Sequence, residues 1–544
     1  MKLLPRPLGG SHLAKDYLAG VEAARDFYRG SPFRAETYRH KADELDLARG
    51  PDTFATAEQV IRPTGPDGAE LLRRVTAQGG YFVTTGQQPG LFGGPLYSLY
   101  KALTAVKLAG ELAGVLARPV MPLFWVASDD HDWEEANHTL VVDGSNRLVR
   151  LTLGAAAEGP PRPLARTPVG AAVEEALGRL SHAFPPNEFH TRHMARLRDA
   201  YRPEATMASA FSDVMSWLLR ETPIGLVDAG HPWLKEACRS VFRAEAEDPM
   251  ASETVLERTA GGLLRCGYGL QVPLIPGATN LLLDLRDGRE RLQRTDGGFL
   301  LRRSGRKLSR RRVLDLIEDD PQAVSPNVLL RPVVESLLFP TLAYVGGPGE
   351  LAYFAQLRGL FRRHGTDMPV VAPRGSLLVV ESKVAKVLDK FGLGVDDVRD
   401  LEALLSRFAR DRLPEDVRDA AGRWRGAVEA LGGELADAAA AVDPVLRGAV
   451  MKARNSSLAA LGSLEKKIVR AVKRNAETTR VQIAKAQVNL WPEGKPQDRV
   501  LCPLQYLMKY GPEFPALAIR RIPVQLHRSR ADGDFGTPGT DSVA

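Results

Sequence analysis

Two apolar, strand-like runs at 81–85 and 119–127 enclose a glycine-rich loop at 86–94 and a helix that Pro95 opens and that extends to about Ala113. No other stretch constrains the fold as tightly. A strand, helix and strand at this spacing form a crossover unit, and a crossover joins strands that run parallel. Proline suits the first helical position because its missing N–H would lack a partner there anyway. The pattern restarts at 224–228, and further strands or strand ends meet Gly or Pro at 328–334, 341–350 and 370–374. Arg331 sits inside the first of these, just ahead of Pro332. The expected class is α/β, built on a parallel sheet.

A chain of 544 residues exceeds one compact core, so roughly three domains or subdomains are expected. Residues 1–75 read as a helical segment, 76–152 as the first half of the core, and 153–222 as an inserted helical module. Residues 139–152 alternate like hairpin strands around Asp143 and Gly144. The second half of the core, 223–390, carries a β-rich insertion where 270–301 alternate like antiparallel strands. From 391 to 490 the character is that of a coiled coil. Val417, Ala421, Trp424, Val428, Leu431, Leu435, Ala438 and Val442 step by 4, 3, 4, 3, 4, 3 and 4, a heptad seam. A second run carries Leu458, Leu461, Leu464, Ile468 and Val472, with Asp443 and Pro444 as a turn or a cap between the two. Gly432 and Gly433 weaken the first helix by roughly 2 kcal/mol, which packing has to offset. A segment at 491–528 is expected to return to the core, and the polar tail at 529–544 to be disordered.

Composition excludes several classes. The net charge of +7, from 73 basic and 66 acidic residues, suits anionic substrates but lacks the clustering of a nucleic-acid binder. No run approaches the roughly 18 to 20 apolar residues of a membrane span. The first residues lack a signal core, so the cytoplasm is the default location. Cys238, Cys266 and Cys502 are far apart and suggest neither a disulfide framework nor a cysteine zinc site.

Two loops carry the chemistry. In the first, both GxGxxG and the phosphate-loop pattern fail, because no Lys follows Gly93 and Gly94. What remains is a loop feeding a helix N-terminus, where free N–H groups favour an anion. Tyr97, Tyr100, Lys101 and Thr104 share one face of that helix. In the second loop Asp129, Asp130, His131, Asp132, Glu134, Glu135 and His138 follow a buried strand. Three readings fit them: a metal site of His131, His138 and a glutamate, an acid/base or substrate-binding histidine, or plain helix capping. A third segment, Tyr344 to Glu350, repeats the strand–glycine–helix pattern with Gly346 and Gly347. Arg331 can pair a carboxylate or phosphate, or form a structural salt bridge.

These segments, with Ser325–Val333, Ala343–Pro348, Ala352–Gln356, Leu464–Ile468 and Leu490–Gly494, resemble the BshC family, the cysteine-adding ligase of bacillithiol biosynthesis. The strings TGQQPG…GPLY…K and DHD.E..NH carry most of the likeness. The resemblance implies a Rossmann-like core related to class I aminoacyl-tRNA synthetases, inserted connecting-peptide modules, and a coiled coil that makes a homodimer. It also implies the joining of cysteine to glucosaminyl-malate through an amide. The helix after Gly94 has no histidine, so the paired-histidine signature of those synthetases is missing.

Amide formation from a free carboxylate needs activation, and ATP, with or without Mg²⁺, is the simplest source. The expected site is the crevice between the loops at 86–94, 128–132 and 346–350. There His131 is the expected catalytic group, and Gln87, Gln88, Tyr97, Lys101, Asp130, Arg331 and Tyr344 the substrate-binding ones. Gly93, Gly94, Gly346 and Gly347 would face the nucleotide, with no dedicated metal ligands, no nucleic acid and no membrane partner. Two competing classes are a metal-dependent hydrolase built on Asp129–His138 and a non-catalytic nucleotide-binding dimeric scaffold.

Overall fold

The computed structural model describes residues 1–156, 158–411, 415–475 and 477–527. The tail at 529–544 and the side chain of Val472 lie outside the described residues. In chain order, β1 (Ile61–Pro63) and β2 (Tyr81–Gln87) precede helix α1 (Leu96–Leu116) and β3 (Val120–Val126). The hairpin of β4 (His138–Val142) and β5 (Leu148–Thr152) leads into a helical insertion that ends with α2 (Met207–Leu218). Strand β6 (Gly225–Asp228) then rejoins the core. There follow β7 (Ala278–Leu285), β8 (Gly288–Thr295), β9 (Gly298–Leu301), β10 (Lys307–Leu308) and β11 (Val324–Pro326). Next come α3 (Arg331–Leu338), β12 (Thr341–Gly346), α4 (Pro348–Phe354) and β13 (Val370–Pro373).

The central sheet has the order β13–β12–β2–β3–β6–β1. All its pairings are parallel except that of the edge strand β1 with β6. From β2 the chain moves outward through β3 to β6, then restarts on the other side with β12 and β13. This is the doubly wound, Rossmann-like order, and it reverses between β2 and β12. Along β2 the side chains alternate between the two faces of the sheet. Tyr81 and Val83 pack with Ala105 and Leu108 of α1, whereas Phe82 joins Met121, Leu123 and Trp125 in the core on the other face. Burial on both faces explains why β2 and β3 read as apolar runs without polar alternation. The strands β10–β9–β8–β7–β11 form a separate antiparallel sheet.

Three expectations change. The run at 328–334 does not form a strand: Arg331 opens α3, with Pro332 in its first turn, where a proline costs no hydrogen bond. The glycine loop is not an open ligand loop, because Leu91, Phe92 and Gly93 are buried. The Tyr201 hydroxyl binds it from the inserted module, accepting from the Phe92 N–H at 2.7 Å and donating to the Gly90 carbonyl at 3.1 Å. The start of α1 is not free for an anion either, since the Leu96 N–H donates to the Leu501 carbonyl at 2.8 Å. The C-terminal segment also ties down β4 through Cys502 N–H to Leu140 at 3.0 Å, and Arg374 through Asp498 at 2.7 Å.

A second compact unit comprises residues 379–497 together with 1–2. Its long helices, α5 (Glu415–Val442) and α6 (Leu446–Asn475), pair as an antiparallel hairpin closed by a turn at Asp443 and Pro444. Arg425 meets Glu465 at 2.8 Å and Arg447 meets Asp437 at 2.7 Å. The heptad seam therefore divides. Of its positions Val417, Ala421 and Val428 are half-buried, while Ala438 is exposed and Trp424, Leu431, Leu435 and Val442 remain 55%, 64%, 59% and 82% exposed. Gly432 marks the close approach of the two helices: a Cβ there would lie 2.7 Å from the Arg454 side chain. Among the described residues no helix is long and apolar enough to cross a membrane.

One buried histidine makes the fold acid-sensitive. His193, in the inserted module, packs between Phe189 and Trp217, and neither ring nitrogen has a partner among the described residues. Burial, then the nearby Arg192 and Arg220, push its pKa down to about 4. The unfolded chain thus binds the extra proton first, and stability falls as pH drops from about 6.5 towards 4, by up to roughly 3 kcal/mol. A His193→Phe variant should flatten that acid limb in urea titrations between pH 4 and 7. An unchanged limb would rule His193 out as its source.

Candidate active site

The carboxyl ends of β2 and β3 open into a cleft of about 1000 Å³. It lies where the strand order reverses, because the connections leaving β2 and β12 diverge there. Strand β8 and the start of α3 form the facing wall.

Beneath the cleft a chain of buried charges spans the reversal. The Lys101 ammonium, on α1, donates to the Gly86 carbonyl at 2.9 Å and to Gln87 Oε1 at 3.0 Å, and meets Glu350 Oε2 at 2.5 Å. Glu350 also accepts the Gly347 N–H at 2.7 Å and the Tyr344 hydroxyl at 2.5 Å. Burial draws Lys101 below the ordinary lysine value, against the pull of Glu350. For Glu350 burial acts upward, but Lys101 together with the Tyr344 and Gly347 hydrogen bonds holds the carboxyl below its usual range. Three acceptors around one ammonium favour the ionised pair. Glycine at 346 eases this approach, since a Cβ there would lie 3.0 Å from that of Glu350. Arg331 continues the network to Glu335 at 2.9 Å and to the Tyr344 and Tyr353 hydroxyls at 3.1 and 3.0 Å. Burial lifts the Glu335 carboxyl to about 6.

The two walls of the cleft differ in sign. After β3, Asp130, Asp132, Glu134 and Glu135 all line it. Burial in the concave wall, then Asp132 and Asp130, hold the Glu135 carboxyl above its usual range. Opposite stand Arg289 and Arg291 of β8, two residues apart and so on one face of the strand. His131 lies between the walls. Its Nδ1 is 2.9 Å from Arg289 Nη1, and a guanidinium can only donate, so Nδ1 accepts and Nε2 carries the proton. Burial and Arg289 lower its pKa, which keeps the ring neutral. His131 is therefore a hydrogen-bond donor aimed from Nε2, held by Arg289, rather than a free base. Below it, Lys235 pairs Asp129 at 3.2 Å. Burial would raise the Asp129 carboxyl, but Lys235 and Arg289 hold it low.

Of the expected site residues, Gln87, Gln88, Asp130, His131, Arg331 and Tyr344 line the cleft. Several are occupied by the protein itself. Gln87 accepts from Lys101 and donates to the Tyr97 hydroxyl at 3.3 Å, and Gln88 donates to Asp130 at 2.6 Å. Lys101 and Arg331 were expected to hold anions, but Glu350 and Glu335 already neutralise them. Tyr97 and Lys101 do not line the cleft, nor do Gly346 and Gly347, although the Gly347 N–H positions Glu350. Gly93 and Gly94 lie away from it. A Cβ on Gly93 would touch Val214, Leu218 and Pro503, so that loop is packed against α2 and the C-terminal segment. The metal arrangement allowed by spacing does not form: the helix there is only Trp133–Ala136, and His138 Nδ1 lies 3.0 Å from the Glu134 carbonyl. Among the described residues no group of three His, Cys, Asp or Glu is placed to hold a metal ion.

Sequence reasoning passed over Glu350, Arg289 and Arg291 as site residues. The arginines left a readable trace in the hairpin Gly288-Arg289-Glu290-Arg291, whose alternate positions share a face. Glu350 had a weaker one, three residues after Gly347 at a helix start.

A doubly wound α/β core with a polar cleft at its strand reversal, followed by a helical hairpin unit, defines a Rossmann-like enzyme class. Within it, residues 3–375 match the family described as bacillithiol biosynthesis BshC, N-terminal Rossmann-like domain, and residues 377–519 match the BshC C-terminal coiled-coil domain. The chain belongs to the BshC family. Among its relatives, a protein of Salinibacter ruber is 35% identical over 520 residues, covering 93% of this chain and 94% of that one. One of Symbiobacterium thermophilum is 34% identical over 496 residues, 87% of each chain, and one of Chlorobaculum tepidum is 33% identical over 513 residues, 90% and 88%. All three carry the name "Putative cysteine ligase BshC".

Proposed function

We propose that this chain is a ligase that joins the carboxyl of cysteine to the amine of glucosaminyl-malate as an amide, in the cytoplasm. The carrying observation is the neutral, Arg289-held His131 set between an acidic and a basic wall. The acidic wall would receive the amine as an ammonium ion. Glu135, with its raised pKa, is suited to take the proton that the amine must lose before it attacks. As the C–N bond forms, negative charge collects on the carboxyl oxygen, and the His131 Nε2–H is suited to receive it. ATP would supply the leaving group that a bare carboxylate lacks. Arg289 and Arg291 are the residues whose chemistry fits its phosphates.

The test is a reaction of purified protein with cysteine, glucosaminyl-malate and ATP, with the amide product followed by mass spectrometry and AMP and ADP resolved. Product with either nucleotide supports the reading, and the nucleotide identifies the activation chemistry. A folded protein that forms no product refutes it and favours the scaffold alternative.

The exposed Trp424, Leu431 and Leu435 support a second proposal carried by the resemblance, that a second copy of this chain covers the outer face of α5. Leu431→Glu with Leu435→Glu should convert a dimer to a monomer in light scattering. A parent chain that is already monomeric at micromolar concentration would refute it.

A further inference from the structure

We propose that Arg289 and Arg291 form a subsite for a multiply charged oxyanion, which fixes the direction in which substrate lies in the cleft. This deepens the ligase reading and rests on it for the identity of the substrate.

Arg291 carries the argument because its charge is unmatched. Arg166, also on the cleft, is paired with Asp284, Arg331 with Glu335 at 2.9 Å, and Arg294, further along β8, with Glu253 at 3.0 Å. Among the described residues no carboxylate pairs with Arg291. Arg291 is half-buried on the cleft wall, and the charges that act on it most are Arg302 and Arg289, both cations; Glu253 and Glu257 share a smaller pocket with it without pairing it among the described residues. Burial, then those two arginines, lower its pKa. Arg289 is 8% exposed and, among the described residues, hydrogen-bonds to no carboxylate, although Asp129 lies within its field: its Nε donates to Ser325 Oγ at 3.2 Å and its Nη1 to His131. Two guanidinium groups, about 7 Å apart at their Cα atoms on one strand face, are costly to hold together in a concave wall. An anion with two or more charges removes that cost, and guanidinium groups match carboxylate and phosphate oxygens in pairs. The opposite wall repels the same anion.

The subsite therefore takes either the dicarboxylate of a malyl group or the phosphates of a nucleotide. With the anion held at β8, an amine elsewhere on the same substrate reaches towards Asp132 and Glu135.

Binding of L-malate and of inorganic pyrophosphate, each alone, is measured by calorimetry on the full chain and on Arg291→Gln and Arg291→Lys. Among the described residues the Arg291 side chain has no hydrogen bond or ion pair to lose, and melting curves confirm that the variants are folded. We expect Arg291→Gln to weaken one probe about tenfold or more, and Arg291→Lys to recover part of that loss. Selective loss of malate assigns the subsite to the substrate carboxylates, and selective loss of pyrophosphate to the nucleotide. In turnover assays the matching substrate should show a raised KM with kcat little changed. If the parent binds neither probe at millimolar concentration, or if Arg291→Gln leaves both within twofold, the subsite does not exist. A parent that binds a probe through Arg291 but makes no amide retains the subsite and loses the ligase reading.

Discussion

Replacing Lys101 by methionine is expected to cost about 3 to 5 kcal/mol of stability and to abolish activity. The loss comes from what stays behind: among the described residues Glu350 would keep a buried charge hydrogen-bonded by the Gly347 N–H and the Tyr344 hydroxyl, with no cation in contact. The ends of β2 and β12 would also lose the strut that joins them, because the Lys101 ammonium binds the Gly86 carbonyl and Glu350 together. Lys101→Met combined with Glu350→Gln removes both charges but keeps an acceptor for Gly347 and Tyr344. That pair should recover at least half of the lost stability in urea unfolding while activity stays absent, because the loops are no longer pinned. If Lys101→Met alone costs less than about 1 kcal/mol, the pair is not holding the reversal point.

His131→Ala should lower kcat/KM by about 10² to 10³, the usual loss for one donor to a developing oxyanion. The sharper test is the ring's titration. Burial and Arg289 hold His131 below the ordinary histidine value, while Asp130 and Asp132 pull the other way. Arg289→Met removes the opposing cation, so the pKa should rise, and the ring should protonate at a pH where the parent ring is still neutral. NMR titration of the ring reads this directly. The acid limb of activity should move up with it, because a protonated Nδ1 changes the charge that His131 presents to the reacting oxygen. A parent His131 that titrates at 6.5 or above, unmoved by Arg289→Met, would overturn the assignment.

The parallel sheet was legible because buried parallel strands are apolar on both faces, and β2 and β12 run into glycines at their carboxyl ends. Arg331 was misplaced because Val, Leu and Pro around it fit a strand end as well as a first helical turn, and only Glu335 one turn later distinguishes the two. Lys101 was expected to hold an anion on a helix face shared with Tyr97, Tyr100 and Thr104, but the partner that neutralises it lies far along the chain, and no local pattern reports such a pair. The glycine loop misled for a related reason. Glycines that admit a ligand and glycines that admit a neighbouring helix look alike until the neighbour is known, and here it is α2. The heptad steps located a real helix, but periodicity does not say whether one seam meets one partner or is shared between two.

The bonds from Leu501 and Cys502 to α1 and β4 also bear on how the molecule is assembled. The first strands of the core leave the ribosome early, yet the residues that close over them come after the whole helical hairpin. Contacts of such long sequence separation form slowly, because the intervening loop has to be closed before they contribute. A nascent chain that has completed the sheet therefore still lacks the Leu501 carbonyl that receives the Leu96 N–H and the Cys502 contacts at Phe92 and Leu140. Emergence of the segment around Leu501 and Cys502, rather than completion of the sheet, is the step that finishes this core.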